Sequence, residues 1–275
     1  MPKKVGNRGP RRVDPGTRHV IGAMLRNRII PTLVETRTES PLIAVATQGK
    51  SGSKVTLSEN DVADIADLLL AGHEQSALDE FDAIFEKGIS ARRLIVDVFG
   101  AVASHLGEAW VNDTASFADV TLGMAVLHKA LRNKAAHLAL EIESDPFGNS
   151  IMLSPLPNHT HVFGAAVVEE FFRAADWDVH SGGFSTENEL LKALADEEFS
   201  IFGLSLGQPQ QSDDGRRLIS RIRARSMNQN IKIMVGGPAV VLDKRIPSEI
   251  GADGFAVNAE EALKVARHLL DQNDD

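Results

Sequence analysis

The chain has 275 residues, which is long enough for two ordinary domains. Its 43% hydrophobic and 24% charged residues are typical of a soluble globular protein, and the lack of cysteine excludes disulfides, thiolate metal sites and iron–sulfur clusters. Tyrosine is absent and aromatic residues make up only 5%, which argues against a stacking platform for single-stranded nucleic acid. No apolar run approaches the roughly 18 residues of a membrane helix, so we expect a cytoplasmic protein with no membrane partner.

The net charge of −9 is unevenly distributed along the chain. Residues 1–57 hold eleven Lys and Arg against three Asp and Glu, whereas residues 58–275 hold eighteen against thirty-five. The first segment is also rich in Gly, Pro, Ser and Thr and shows no sustained period. These features predict a mostly disordered basic arm over residues 1–57. Such an arm is either a simple flexible tail or a segment that contacts DNA phosphates or an acidic partner.

Four amphipathic segments predict a helical bundle over residues 58–142. Ser58 with Asp61, and Ser116 with Asp119, have the spacing of a capping box, so they mark the beginnings of the first and the last helix. Apolar residues follow the 3.6-residue period in each segment. The connections between the four segments are short, which favours antiparallel packing.

The period changes after "EIESDPFGNS", because neither Asp145-Pro146 nor Gly148-Asn149 continues a helix. Over residues 149–271, five short apolar runs alternate with amphipathic stretches. This alternation predicts an α/β domain, a Rossmann-like (flavodoxin-like) parallel five-stranded sheet with helices on both faces. Glycines gather just past the predicted strands, at Gly182-Gly183, Gly207 and Gly236-Gly237.

Candidate site residues follow three of these strands. "HTHVFG" comes after the first strand, "SLG" after the third and "GGP" after the fourth. His161 and Gly164 have the spacing H-x-x-G. Because the carboxyl ends of parallel strands meet at one edge of the sheet, we expect His161, Ser205 and Gly236-Gly237 to border one ligand site.

The order of these motifs resembles the cobalamin-binding module, in which a helical-bundle cap precedes a Rossmann-like domain. That family uses D-x-H-x-x-G, then S-x-L, then G-G, and the resemblance covers residues from about 58 to 271. It implies that His161 binds cobalt and that the nucleotide tail of the cofactor threads into the sheet beside Ser205, Leu206, Gly236 and Gly237. A neutral imidazole is a good cobalt ligand.

Two positions depart from the family pattern. His159 stands where the family has Asp, and Gly207 stands where it has the Leu of S-x-L. The family carboxylate would hold the other nitrogen of the ligating histidine and raise its basicity. We therefore assign His159, His161 and Gly164 to the cofactor site and expect His161 to be the metal ligand, with His159 as the alternative.

The stretch "HLGEAWVNDTASFADVTLG" is similar to the cap of cobalamin-dependent light sensors, where a tryptophan covers the upper face of the corrin ring. Trp110 matches that tryptophan, and Phe117 is a second candidate of the same kind. Those sensors often carry a Glu-His pair where this chain has Val120 and Thr121. The resemblance therefore implies that water or hydroxide is the upper ligand, so the hydroxo or aquo form of cobalamin is favoured.

Taken together, the arm, the motif and the cap are similar to bacterial regulators of the AerR/PpaA type. This resemblance implies a light-responsive antirepressor of photosynthesis genes that acts on a repressor of the CrtJ/PpsR type and is not an enzyme. Haem stays open as an alternative cofactor, and a corrinoid methyl-carrier subunit as an alternative function. The sequence argues against two other classes of protein. A phosphoacceptor receiver would need an Asp where "SLGQ" stands, and a dinucleotide-binding dehydrogenase would need G-x-G-x-x-G after the first strand, and this chain has neither.

Overall fold

The computed structural model of the protein describes residues 47–48, 54–55, 57–145, 147–157, 163–182 and 184–271. Within the predicted basic arm, Thr47–Gln48 (β1) pairs antiparallel with Lys54–Val55 (β2). Leu57, the last residue of the predicted arm, is buried in the core of the helical bundle, and the rest of the arm lies outside the described residues. The disorder of the arm and its binding to DNA therefore stay predictions.

The helical region consists of four helices that pack around one apolar core. They are α1 (Glu59–Leu70), α2 (Glu74–Glu86), α3 (Ala91–Val111) and α4 (Phe117–Ala139). Both expected capping boxes are present. Asp61 donates its backbone N–H to Ser58 Oγ at 3.2 Å and accepts from the Ser58 N–H at 2.7 Å, and Asp119 and Ser116 do the same at 3.2 and 3.0 Å.

Helix α3 is more apolar than the sequence analysis recognised. By length and composition alone it could cross a membrane, because an 18-residue window reaches a mean hydropathy of 1.4. Leu94, Ile95, Phe99 and Leu106 are nevertheless fully buried among the other helices. Residues 94–99 form a π-helical segment in its middle. The core of the bundle thus accounts for part of the apolar composition of α3, since 39% of that window is buried.

The second region contains a five-stranded parallel sheet with the order β4-β3-β5-β6-β7, which confirms the expected α/β fold. The strands are β3 (Ser150–Pro155), β4 (Asp178–Ser181), β5 (Ile201–Ser205), β6 (Lys232–Gly236) and β7 (Gly254–Phe255). After β3 the chain moves outward to β4 and then crosses back to β5. The carboxyl ends of β3 and β5 therefore form the topological switch point, where open α/β sheets bind their ligands.

Helices cover both faces of the sheet. They are α5 (Phe163–Ala174), α6 (Glu187–Asp196), α7 (Ser212–Arg225), α8 (Pro238–Leu242), α9 (Ile246–Ile250) and α10 (Ala259–Asp271). Helices α5 and α10 contribute to the core on one face, and α6 to α9 contribute to the core on the other. The sheet is thus buried on both sides, as a parallel sheet requires.

Helix α5 also joins the sheet to the bundle, because it packs along α4. Near the start of α5, the Phe163 ring contacts His128 edge-on with 5.2 Å between centroids. Past the far end of α5, the Asp145 N–H donates to the Ala175 carbonyl at 2.7 Å. The two helices therefore run in the same direction. From His128 back to Phe117, α4 extends about 16 Å beyond the start of α5, on the side of the carboxyl edge of the sheet.

Candidate functional site

Three strand ends lie in one row at the carboxyl edge of the sheet. Pro155 of β3 is in register with Ser205 of β5, and Ser205 is in register with Gly236 of β6. Neighbouring strands lie about 4.8 Å apart, so the row is about 10 Å wide. The structure therefore brings together Ser205 and Gly236, which were predicted to share a site, beside the strand that leads into "NHTHV".

Gly237 has a structural role that the sequence did not reveal. Its φ is +95°, and a Cβ added there would lie 2.5 Å from the Leu206 carbonyl oxygen and 2.9 Å from Ser205 Oγ. Only a glycine therefore lets the chain turn from β6 into α8 against the end of β5. At Gly236 an added Cβ would lie 3.1 Å from the Ala256 carbonyl oxygen. The space next to these glycines is used by the protein backbone.

Ser205 and Leu206 face different surroundings although they are adjacent. The Ser205 side chain is partly exposed, and its hydroxyl makes no hydrogen bond to any residue that the structure describes. Leu206 is fully buried in the core under α6 to α9, and its N–H donates to the Gly236 carbonyl at 2.9 Å. At this edge, Ser205 therefore has a hydroxyl available for a ligand, whereas the side chain of Leu206 packs in the core.

The loop after β5 is fixed by a residue that the sequence analysis missed. The buried side chain of Gln211 accepts hydrogen bonds from the N–H groups of Gly207 at 2.7 Å and Gln208 at 3.1 Å. Gln211 thus closes the loop that carries the glycine of "SLG". A glutamine a few residues after a strand was the available signal, but nothing in the sequence showed where its side chain would point.

The candidate metal ligands His159 and His161 lie outside the described residues, between Pro157 and Phe163. Gly164 is the second residue of α5, and a Cβ added to it would meet no atom within 4 Å. Packing within the described part of the protein therefore does not require a glycine here. Across that same part of the chain, no group of three or more His, Asp or Glu is arranged to hold a metal ion.

Trp110 and Phe117 face each other at the junction between α3 and α4. Their rings pack edge-to-face with 6.4 Å between centroids, and Phe117 is 71% exposed. Thr121, one turn along α4, is exposed and donates its hydroxyl to the Phe117 carbonyl at 2.7 Å. We call Trp110, Phe117 and Thr121 the cap face. Val120, by contrast, packs partly into the bundle core.

The cap face and the row of strand ends suit a large flat ligand with a polar extension. The cap face offers exposed aromatic surface on the part of α4 that projects past the start of α5. The strand ends offer the Ser205 hydroxyl, and no atom of the described residues lies within 4 Å of a Cβ added to Gly164. A corrin ring has two broad apolar faces and carries a nucleotide tail with hydrogen-bonding groups, so the residues present fit a cobalamin.

Comparisons with known proteins agree with this geometry. Residues 149–267 match the family model of the B12 binding domain. None of the curated protein sequences matches the chain. Among solved structures, the monomethylamine corrinoid protein of Methanosarcina barkeri is similar at 18% identity and a TM-score of 0.59, over 77% of this chain and 99% of that one.

Two further structures are similar with a TM-score of 0.40. One is a novel cobalamin-binding protein from Desulfitobacterium hafniense DCB-2, at 18% identity over 76% of this chain and 98% of that one. The other is the methanol:cobalamin methyltransferase complex MtaBC from Methanosarcina barkeri, at 15% identity over 90% of this chain and 92% of that one. Superpositions of this quality are partial, so only the monomethylamine corrinoid protein bears on the fold.

The match to the B12 binding domain spans β3 to α10 and includes Ser205, Gly236 and Gly237. The likeness to the monomethylamine corrinoid protein extends over both the helical region and the sheet and shows a shared fold. Residues 149–267 therefore match a B12 binding domain and follow a helical region, and the cofactor that this match supports is a cobalamin or a related corrinoid.

Proposed function

We propose that this protein is a cobalamin-binding regulator that responds to light and is not an enzyme. The observation that carries the proposal is the cap face. Trp110 and Phe117 present aromatic surface to solvent at the end of α4 that projects past the sheet. Exposed aromatic surface at such a position is costly to leave in water and is typical of a binding site.

Each side of the site would hold a different part of the cofactor. The cap face would cover one face of the ring, and the Ser205 hydroxyl would donate to or accept from the base of the nucleotide tail. His161, with His159 as the alternative, would bind the metal from the opposite face. Haem has a flat ring but no nucleotide tail. The Ser205 hydroxyl, which has no hydrogen-bond partner among the residues that the structure describes, therefore favours cobalamin over haem.

The cap face also suggests how the protein would respond to light. Alkylated cobalamins would supply light sensitivity through their cobalt–carbon bond. Trp110 and Phe117 are bulky, and neither Val120 nor Thr121 offers an imidazole to the metal. The residues of the cap would therefore favour a cobalamin with a small group on the metal over one with an adenosyl group.

A repressor of the CrtJ/PpsR type is the proposed partner. Helix α4 carries Phe117 at one end and packs on α5 at the other, so a cofactor seated against the cap face can bias the packing of bundle on sheet. Each tenfold change in affinity for the repressor requires about 1.4 kcal/mol of difference between the two states. The basic arm, with eleven Lys and Arg over residues 1–57, is the proposed contact with DNA phosphates.

A retention experiment in the dark tests the proposal. Full-length protein is mixed with hydroxocobalamin or adenosylcobalamin, passed over a desalting column, and measured for bound cofactor by visible absorption. We expect preferential retention of hydroxocobalamin, and we expect Trp110→Ala to narrow the difference. Leu122→Ala is the matched control, because Leu122 is 62% exposed on α4 and lies about 140° around the helix from Phe117. Equal retention of both cofactors by the unaltered protein would contradict the proposed light response.

A corrinoid methyl carrier is the second candidate, and the fold shared with the monomethylamine corrinoid protein favours it. His159 argues against it, because carriers rely on the carboxylate behind the ligating histidine to tune the metal. One assay distinguishes the carrier from the regulator. Protein loaded with methylcobalamin in the dark would pass its methyl group to a supplied thiol acceptor if it is a carrier, and would not do so if it is a regulator.

A further inference from the structure

A cavity of about 350 Å³ lies between α4, α5 and the carboxyl ends of β3 and β4, where it is lined by Pro155, Ser181 and Gly182. Its apolar lining includes Leu131 of α4, Leu153 of β3 and Ala166 of α5. We call this cavity the α4–α5 groove. Its volume lies at the lower end of the range for small-molecule sites, so it suits a ligand the size of an amino acid.

One wall of the groove carries a carboxylate with unmet hydrogen-bonding capacity. The side chain of Glu170 is only 17% exposed, and its sole ion-pair contact among the described residues is Arg173 at 3.8 Å. That distance is too long for a hydrogen bond, and the Arg173 guanidinium instead contacts Glu169 directly. Burial raises the pKa of Glu170 above its usual range. A carboxylate that is largely shielded from water and has no hydrogen-bond donor among the described residues is costly, so this wall favours a ligand that donates hydrogen bonds.

The opposite wall carries a cation. Arg132 of α4 lines the groove and forms no ion pair or hydrogen bond with any residue in the described part of the chain. It lies close enough to Glu170 to lower the pKa of that carboxyl slightly against the effect of burial. His128, beside it, has its pKa lowered by burial and is neutral at pH 7. Arg173 contacts Glu169 directly and Glu170 only at 3.8 Å, so among the described residues the exposed Arg132 on α4 and Glu170 on α5 are the groove charges without a direct ion-pair contact.

We propose that the α4–α5 groove binds a small zwitterion, an α-amino acid with an apolar side chain, whose ammonium group donates to Glu170 and whose carboxylate accepts from Arg132. A simple amine would meet the repulsion of Arg132, and a simple carboxylate would meet that of Glu170. The apolar lining takes the side chain. Because Arg132 belongs to α4 of the bundle and Glu170 to α5, the ligand bridges the two regions. The groove adjoins the row of strand ends, because Pro155 lines it.

Calorimetric titration of the full-length protein without cobalamin tests the proposal. The ligands are L-leucine and L-methionine, with two analogues of leucine that each lack one charge: isopentylamine, which lacks the carboxylate, and 4-methylpentanoate, which lacks the ammonium group. We expect saturable binding of both amino acids. We also expect each analogue to bind about tenfold or more weakly than leucine, since each loses a charge-assisted contact worth at least about 1.4 kcal/mol.

Variants assign the two charges. Glu170→Gln is expected to weaken leucine binding about tenfold, and Arg132→Gln by a similar factor. Lys244→Gln is the matched control, because Lys244 is an exposed cation outside the groove, and it should leave leucine binding unchanged. Far-ultraviolet circular dichroism checks that each variant is folded, and Glu170→Asp replaces Glu170→Gln if the latter is not.

Two results would overturn the zwitterion site. One is the lack of saturable binding for both amino acids. The other is leucine binding that neither Glu170→Gln nor Arg132→Gln changes. Cobalamin binding is measured separately by visible absorption of the same preparation. Failure of the zwitterion site can therefore be distinguished from failure of cobalamin binding.

Discussion

The two halves of helix α4 contrast with each other. In the half that follows His128, Leu131, Lys134 and Leu138 are buried against the bundle and α5. In the half that precedes it, Leu127 and Gly123 are buried on the bundle side, but Phe117 is 71% exposed. The helix is continuous, so the difference lies in what covers it. One half has α5 as its partner, whereas the other projects past α5 and presents the cap face, which we assign to the cofactor.

The largest expected effect is in the covered half. Leu138→Ala should lower the free energy of unfolding by about 3 kcal/mol, because it removes a fully buried side chain and leaves a cavity. Leu140→Ala, two residues on and 87% exposed, should change it by about 0.5 kcal/mol or less. Urea unfolding followed by circular dichroism measures both. Equal effects would mean that the end of α4 is not packed as described.

The second prediction separates a glycine that the fold needs from one that the site needs. Gly237→Ala should cost about 2 kcal/mol of stability, because φ is positive and the new Cβ would clash with the Leu206 carbonyl. Gly164→Ala should keep or slightly raise stability, since α5 is helical and the space is open.

Cobalamin binding tests whether the site needs Gly164. Gly164→Ala should weaken cobalamin binding although the protein remains folded, as measured by visible titration. Unchanged cobalamin affinity in Gly164→Ala would show that the open space beside this glycine is not used by the cofactor.

The third prediction concerns the exposed half of α4. Phe117→Ala should leave the unfolding free energy within about 0.5 kcal/mol of the unaltered value, because the ring is mostly in water. It should weaken hydroxocobalamin binding about tenfold, since burial of an aromatic side chain contributes about 1.5 kcal/mol or more. A loss of stability without a loss of hydroxocobalamin binding would mean that Phe117 is packed within the protein and does not contact the cofactor.

The smallest expected effect is a pH dependence at the α4–α5 junction. Burial first, and Arg132 second, lower the pKa of His128 below 6.5, while Glu169 opposes them. Glu170 and Arg173 are the other charged groups lining the same groove. Because the folded-state pKa is lowered, the stability linked to neutral His128 is present above pH 6.5 and is lost as the pH falls through the folded-state value.

His128→Gln should remove this acid-side loss. Thermal melting of both proteins between neutral pH and about pH 5 measures it. Glu170 titrates with the opposite sign, because burial raises its pKa above 4.5: its contribution is present below pH 4.5 and is lost as the pH rises through the folded-state value. The same pH dependence of the melting temperature in the unaltered protein and in His128→Gln would argue against a role for His128.

Sequence reasoning succeeded where the determinants are local or follow from the topology of a parallel sheet. The capping boxes at Ser58 and Ser116 depend on residues three positions apart, so they could be read directly. Ser205 and Gly236 were predicted to meet because parallel strands end at a common edge, and their register confirms that they are neighbours.

Contacts that depend on the direction of a side chain or on the packing of two elements were not predictable. No pattern indicated that Trp110 and Phe117 would face each other, that Gln211 would close the loop after β5, or that Arg132 and Glu170 would line one groove. Gly237 shows the same limit from another side. A glycine after a strand signals close approach, but the sequence does not say whether a ligand or the chain itself comes close.

The central claim is that a cobalamin lies between the cap face and the row of strand ends. Hydrogen–deuterium exchange of the full-length protein with and without hydroxocobalamin tests it most directly. We predict slower exchange in two separate segments, one around Phe117 and Thr121 and one around Ser205 to Gly207, with no change near Leu138. Protection confined to one of these segments, or to neither, would contradict the account.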